Sequence, residues 1–168
     1  ITSIYLTQHE EDLFFRMDVV DVENQAPVAN ATSDNTLEEQ SVTITLTGSD
    51  PENAAITFST DSGPTNGVLS NYQIIDNTSS TVDYSPNTDF VGNDTFTIVA
   101  NDGQVNSAPA TVTVTVNPIN DAPSFTSGGD VNVLKTAGPY NQPWATAVSP
   151  GPVDEAGQSL TFNITAND

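Results

Sequence analysis

The chain has 168 residues, room for one full domain and parts of its neighbours, because single domains commonly take about 100 to 150 residues. Asp and Glu number 22 against two basic residues, Arg16 and Lys135, for a formal net charge of -20, so the chain repels nucleic acid and anionic lipid, which are bound through clustered Lys and Arg. Cysteine is absent, which removes disulfides and thiolate sites, and no apolar run approaches the roughly 18 residues of a membrane span; no nucleic acid and no membrane insertion are expected.

The chain opens on Ile4 and Leu6 alternating with polar residues, turns at His9-Glu10-Glu11-Asp12, and returns through Leu13-Phe14-Phe15-Arg16-Met17. This pattern predicts a β-hairpin. A hairpin alone is marginal in water, so residues 1–23 are expected to close a preceding domain, within a chain that extends upstream. His9 is the only histidine and reads as a hairpin-tip residue, since transition-metal sites gather several imidazoles or thiolates.

From residue 24 onward, helical periodicity gives way to short runs with period two, bounded by Asn, Asp, Gly, Pro and Ser. Seven strands are predicted over 28–32, 42–46, 56–59, 72–75, 81–84, 95–100 and 111–116. Val42, Ile44 and Leu46 share one face, with Thr43 and Thr45 on the other. Such alternation specifies an all-β sandwich, with one face of each strand in the core. Phe90 and Phe96 are expected in that core, and Asp94 is expected to tie down the bend before a core strand.

The chain also repeats internally. Asn24-Gln25-Ala26-Pro27 returns as Asn120-Asp121-Ala122-Pro123, an offset of 96 residues. Asp50-Pro51-Glu52 ahead of Ile56-Thr57-Phe58 matches Asp154-Glu155 ahead of Leu160-Thr161-Phe162, an offset of 104 if Asp50 is set against Asp154. The second copy thus carries extra residues, assigned to the stretch from Gly138 to Pro152. Residues 24–120 form one complete sandwich on this reading, and residues 121–168 an incomplete second one.

These residues resemble bacterial cadherin-like and Ig-like repeats, the tandem modules of large secreted adhesins and multidomain extracellular proteins. The resemblance rests on Asn120-Asp121-Ala122-Pro123, Leu37-Glu38-Glu39, Ser49-Asp50-Pro51-Glu52, Tyr84-Ser85-Pro86, the run from Phe90 to Phe96, Ala100-Asn101-Asp102-Gly103 and the closing Val112 to Val116. It implies a seven-stranded Greek-key β-sandwich with calcium where one module meets the next. At the upper junction it points to Asn24, Asp50, Glu52 and Asp102. At the lower junction it points to Glu38 or Glu39, Asn120, Asp121 and Asp154. Calcium takes about six to eight oxygen ligands from carboxylates, amides and carbonyls, and the chain has few cations of its own to occupy its carboxylates.

Two departures stand out. Gln25 occupies the place of Asp121, and Leu134 and Lys135 occupy the places of Glu38 and Glu39 in the second copy. The lower junction of the first repeat is therefore the expected metal site. Solvated turn chemistry is the bland alternative for every one of these acids.

No Gly-x-Ser-x-Gly elbow, second histidine or Gly-rich phosphate loop is present, so no enzyme is expected. The function implied is a calcium-rigidified structural or adhesive segment, extracellular and secreted or surface-bound, whose partners are neighbouring repeats of the same chain and a cell-surface ligand. Two alternatives stay open: an accessory carbohydrate-binding module stacking a polysaccharide on Trp144 or Tyr140, and self-assembly by strand exchange into an extracellular filament.

Overall fold

A computed structural model describes the backbone of residues 3–9 and 12–18 and, with their side chains, residues 23–134, 136, 138–139 and 141–163. Lys135 and Tyr140 lie outside the described residues. The hairpin pairs β1 (Ser3–His9) antiparallel with β2 (Asp12–Asp18).

The first large unit is built from β3 (Val28–Ala29), β4 (Thr32–Leu37), β5 (Val42–Ser49), β6 (Thr57–Ser62), β7 (Gly67–Ile74), β8 (Ser79–Pro86), β9 (Gly92–Asn101) and β10 (Ala110–Asn117). Two four-stranded sheets result, in the orders β3-β5-β8-β7 and β4-β10-β9-β6. The first predicted strand is divided between them. Its start pairs antiparallel with β5, while β4, beyond Asn30 and Ala31, pairs in parallel with β10. One strand thereby stitches both sheets at the edge where an unpaired ladder would otherwise be exposed. The strand predicted over 72–75 starts earlier, at Gly67, with a register shift between Ser70 and Gln73.

Period two accounts for the core. Ile44 and Leu46 from β5 and Val82 and Tyr84 from β8 meet Phe96 and Ile98 from β9 and Val112, Val114 and Val116 from β10, all buried. Phe90 packs partly buried against them. Each such side chain contributes about 1.5 to 3 kcal/mol when fully buried. The alternate residues, such as Thr43, Thr45, Thr111 and Thr115, face out.

Asp94 is buried within β9 and its role differs from a local bend. Its carboxylate accepts the N–H groups of Thr65 (3.0 Å), Asn66 (2.8 Å) and Thr95 (2.9 Å) and the hydroxyl of Tyr84 at 3.0 Å. It ties the β6–β7 connection to the opposite sheet. Burial first, then the Asp94 hydrogen bond and charge, push the Tyr84 hydroxyl up, keeping it protonated as a donor. Gly67 lets the chain pass Tyr84, since a Cβ there would collide with the ring.

Beyond the linker, β11 (Ser124–Ser127) pairs antiparallel with β12 (Ala145–Ser149), and a single 3-10 turn, η1, spans Val153–Glu155. Phe125 stacks edge-on against Phe162 at 5.2 Å between centroids and lies 6.3 Å from Trp144. Among the described residues no helix is long and apolar enough to cross a membrane.

Asp94→Ala strands three part-buried N–H donors and the buried Tyr84 hydroxyl, and is expected to cost about 3 kcal/mol in urea denaturation. Tyr84→Phe, which leaves Asp94 its three N–H partners, is expected to cost about 1 kcal/mol.

Candidate metal centre

The base of the first sandwich and the linker share one small volume. Glu38 sits in the turn after β4, where its backbone N–H donates to Asn117 O at 2.9 Å. That bond to the end of β10 turns the side chain inward, fully buried. Its Oε1 accepts the N–H of Ile119 at 2.7 Å, while Oε2 is buried without a partner. Asp89 lies in the β8–β9 turn in the left-handed region (φ 56°), a conformation Asp tolerates better than most residues. Asp121 comes from the linker. One carboxylate oxygen from each of Glu38, Asp89 and Asp121 lies within 4.8 Å of the others, the only such trio among the described residues.

A fourth carboxylate meets the linker from the second unit. Glu155, in η1 and buried, accepts the N–H of Asp121 at 2.7 Å through Oε1, and its Oε2 is buried without a partner, as is Oδ2 of Asp121. Gly151 makes room for it: a Cβ at that position would collide with Glu155 Oε2 and lie 3.4 Å from the Asp121 Cβ. A cleft of about 250 Å³ beside it is lined by Asn120, Asp154, Glu155 and Gln158, among others.

Desolvation at the junction, followed by the charges of Glu155, Asp89 and Asp154, pushes Asp121 above the ordinary 3.8 of an aspartate. Leaving a buried polar atom unpartnered costs about 1 to 3 kcal/mol, more if charged. Hard, anionic oxygens in this number suit Ca²⁺ and suit nitrogen- and sulfur-seeking metals poorly.

The upper end of the first sandwich is organised differently. Asp50 Oδ1 accepts the N–H groups of Glu52 and Ala54, both at 2.9 Å, and its Oδ2 is buried and unpaired. Glu52 accepts two hydrogen bonds from Gln25. Asp102 accepts the N–H groups of Gln104 and Val105 and the Asn24 amide at 2.7 Å. Those donors, the Val105 N–H foremost, hold Asp102 below the ordinary aspartate range. Asp50, Glu52 and Asp102 are thus distributed over separate donors.

Of the residues singled out from sequence at the lower junction, Glu38 and Asp121 converge. Glu39 is exposed in the left-handed region (φ 61°), outside the trio. Asn120 is exposed, its amide donating to Asp121 O at 3.0 Å. Asp154 is exposed and faces the cleft, while its neighbour Glu155 makes the linker contact. Asp89 and Glu155 were missed. The Asp154-Glu155 pair did carry a signal: setting Glu155 against Glu52, an offset of 103, gives each linker N–H the same carboxylate partner. Asp89 carried none, being one acid in an ordinary polar turn. Trp144 donates its indole N–H to Gly129 O at 3.1 Å and packs against Phe125.

The chain belongs to the bacterial Ig domain family, whose model matches residues 24–115, just over half of it. Bacterial Ig domains are a non-catalytic module type. No curated protein matches. Among solved structures it is similar to the endo-fucoidan hydrolase MfFcnA4 from glycoside hydrolase family 107, at 18% identity and a TM-score of 0.47, covering 70% of this chain and 19% of that one. It is also similar to the Yersinia pseudotuberculosis adhesin InvE, at 20% identity and a TM-score of 0.37, covering 62% of this chain and 29% of that one. The S-layer protein SbsC, domains 4 and 5, matches at 17% identity and a TM-score of 0.34, over 68% of this chain and 58% of that one. The chain spans between 14% and 22% of the fucoidan hydrolase chains it matches.

The raised pKa of Asp121 fixes the sign of a pH effect. Between 3.8 and its folded value, the folded state binds the extra proton, so this group's contribution is fully present below 3.8 and is lost as pH rises through the folded pKa. In calcium-free buffer, Asp121→Asn is therefore expected to melt above the wild type at pH 7, and the gap to narrow as pH falls towards 4. Thermal melts across that range measure it; a constant gap would remove the electrostatic explanation.

Proposed function

We propose that the chain is a structural repeat segment of a large extracellular bacterial protein, stiffened by calcium at the junction after its first sandwich. One observation carries this reading: Glu38 Oε2, Asp121 Oδ2 and Glu155 Oε2 are buried without partners around a single junction. Three carboxylates with an oxygen each within 4.8 Å of one another, and a fourth that accepts the Asp121 N–H, in a chain with two basic residues, call for a counter-charge from solution. Glu38, Asp89, Asp121 and Glu155 would hold the ion, which would supply neutralising charge. The residues themselves do the mechanical work: Glu38 and Asp89 belong to the first unit, Asp121 to the linker and Glu155 to the second. Holding all four together fixes one unit on the next.

Extracellular calcium modules bind at about 10⁻⁴ to 10⁻³ M, which matches concentrations outside cells and not within them. Calcium at ten times its dissociation constant stabilises the bound form by about 1.4 kcal/mol, or roughly 6 to 11 °C in Tm for a domain of this size. The partners on this reading are neighbouring repeats of the same chain, and the adhesive or catalytic element lies elsewhere in the parent protein.

Chelation with EGTA is expected to lower the Tm by that amount and to broaden the small-angle scattering profile. Glu38→Gln is expected to abolish the calcium response and Glu39→Gln to leave it intact. A melting curve and scattering profile indifferent to calcium would sink the proposal.

A further inference from the structure

The two linkers repeat one hydrogen-bonding pattern and differ at one side chain. Asn24 Nδ2 donates to Gln25 O at 3.4 Å, and Asn120 Nδ2 to Asp121 O at 3.0 Å. Gln104 Nε2 donates to Asn24 Oδ1 at 3.0 Å, and Gln158 Nε2 to Asn120 Oδ1 at 3.3 Å. The N–H of Gln25 donates to Glu52 Oε2 at 3.2 Å, and that of Asp121 to Glu155 Oε1 at 2.7 Å. Residues 25 and 121 therefore occupy the same structural position, each clasped by one glutamate of the following sandwich.

The side chain at that position decides whether the clasp is complete. Gln25 Nε2 donates to Glu52 Oε1 at 3.0 Å, so this single residue satisfies both oxygens of its glutamate. Asp121 has no side-chain N–H to offer, and both its own Oδ2 and Glu155 Oε2 are buried and unpaired. An amide facing a carboxylate forms a charge-assisted hydrogen bond; a carboxylate facing a carboxylate repels it. Asp50 Oδ2 is also unpaired at the upper end, but no trio of carboxylates among the described residues converges there.

We propose that the residue at this linker position determines whether a junction needs a divalent cation: the Gln25 amide locks the upper linker to its sandwich without metal, and Asp121 makes the lower one conditional on it. The inference rests on the calcium reading of the lower junction and adds a rule for which junctions in such a chain respond. Chelation then acts selectively, loosening residues 118–123 and leaving residues 23–27 docked.

The test is a swap in the full chain. Wild type, Asp121→Gln, Asp121→Asn and Gln25→Asp are each titrated with calcium by calorimetry. They are then digested with a non-specific protease in calcium or EGTA, and cuts are mapped by mass spectrometry; trypsin is unsuitable, since Arg16 and Lys135 are the only basic residues. Circular dichroism confirms that each variant is folded. In wild type, cleavage at 118–123 is expected to be about tenfold faster in EGTA than at calcium ten times its dissociation constant, with cleavage at 23–27 unchanged. Asp121→Gln should bind less calcium and stay protected at 118–123 in EGTA. Asp121→Asn, which removes the charge of Asp121 on a side chain one methylene shorter than Gln, should bind less calcium and gain only part of that protection. Gln25→Asp should become labile at 23–27 in EGTA.

Wild-type lability at 23–27 on chelation, or an Asp121→Gln variant as labile at 118–123 as wild type, would overturn this inference while leaving the calcium reading standing. A wild-type chain that takes up no calcium in the titration would overturn both.

Discussion

With 22 acidic residues and two basic ones, this chain cannot neutralise its carboxylates by pairing them with its own cations. Every carboxylate drawn towards the interior must find N–H donors, hydroxyls, amides or an ion from solution, because an unpartnered buried charge costs several kcal/mol. The architecture obeys that constraint. Asp94 takes three backbone N–H groups and a tyrosine hydroxyl, and in doing so ties the β6–β7 connection to the core. Asp102 closes its own turn with two N–H groups, and Glu52 receives the amide and N–H of Gln25. At the lower junction the internal donors run out, and one carboxylate oxygen each of Glu38, Asp121 and Glu155 is left buried without a partner.

The contrast between those solutions divides the molecule by function. Carboxylates satisfied by backbone donors are internal struts, insensitive to what the solvent contains. Apart from Asp50, those left with a buried unpaired oxygen sit where the chain passes from the first sandwich to the second unit, where an external ion would alter the relation between units rather than the stability of one. A bacterial Ig domain has a core that needs no help: ten buried apolar side chains from four strands close it.

Glu38 shows how local chemistry and tertiary geometry combine there. Its backbone N–H and one carboxylate oxygen both bond to the segment leaving β10, through Asn117 O and the Ile119 N–H. The same residue fixes the exit direction of the linker and brings one carboxylate oxygen within 4.8 Å of one from each of Asp89 and Asp121. Glu39, one residue on, points elsewhere because successive residues in a tight turn diverge.

The sequence by itself determined the strands of the sandwich and their inward residues, because period two is written into runs such as Val42 to Leu46 and Val112 to Val116 and burial enforces it. It also determined the repeat of the linker, and the family resemblance pointed from there to Asp121 and to Glu38 or Glu39. Tertiary structure alone decided the division of the first strand between two sheets, the choice of Glu38 over Glu39 and of Glu155 over Asp154, and the arrival of Asp89. Each of these depends on which turns meet at one end of the sandwich, and an isolated acid in a polar turn looks the same in sequence whether it stands alone in water or beside two other carboxylates.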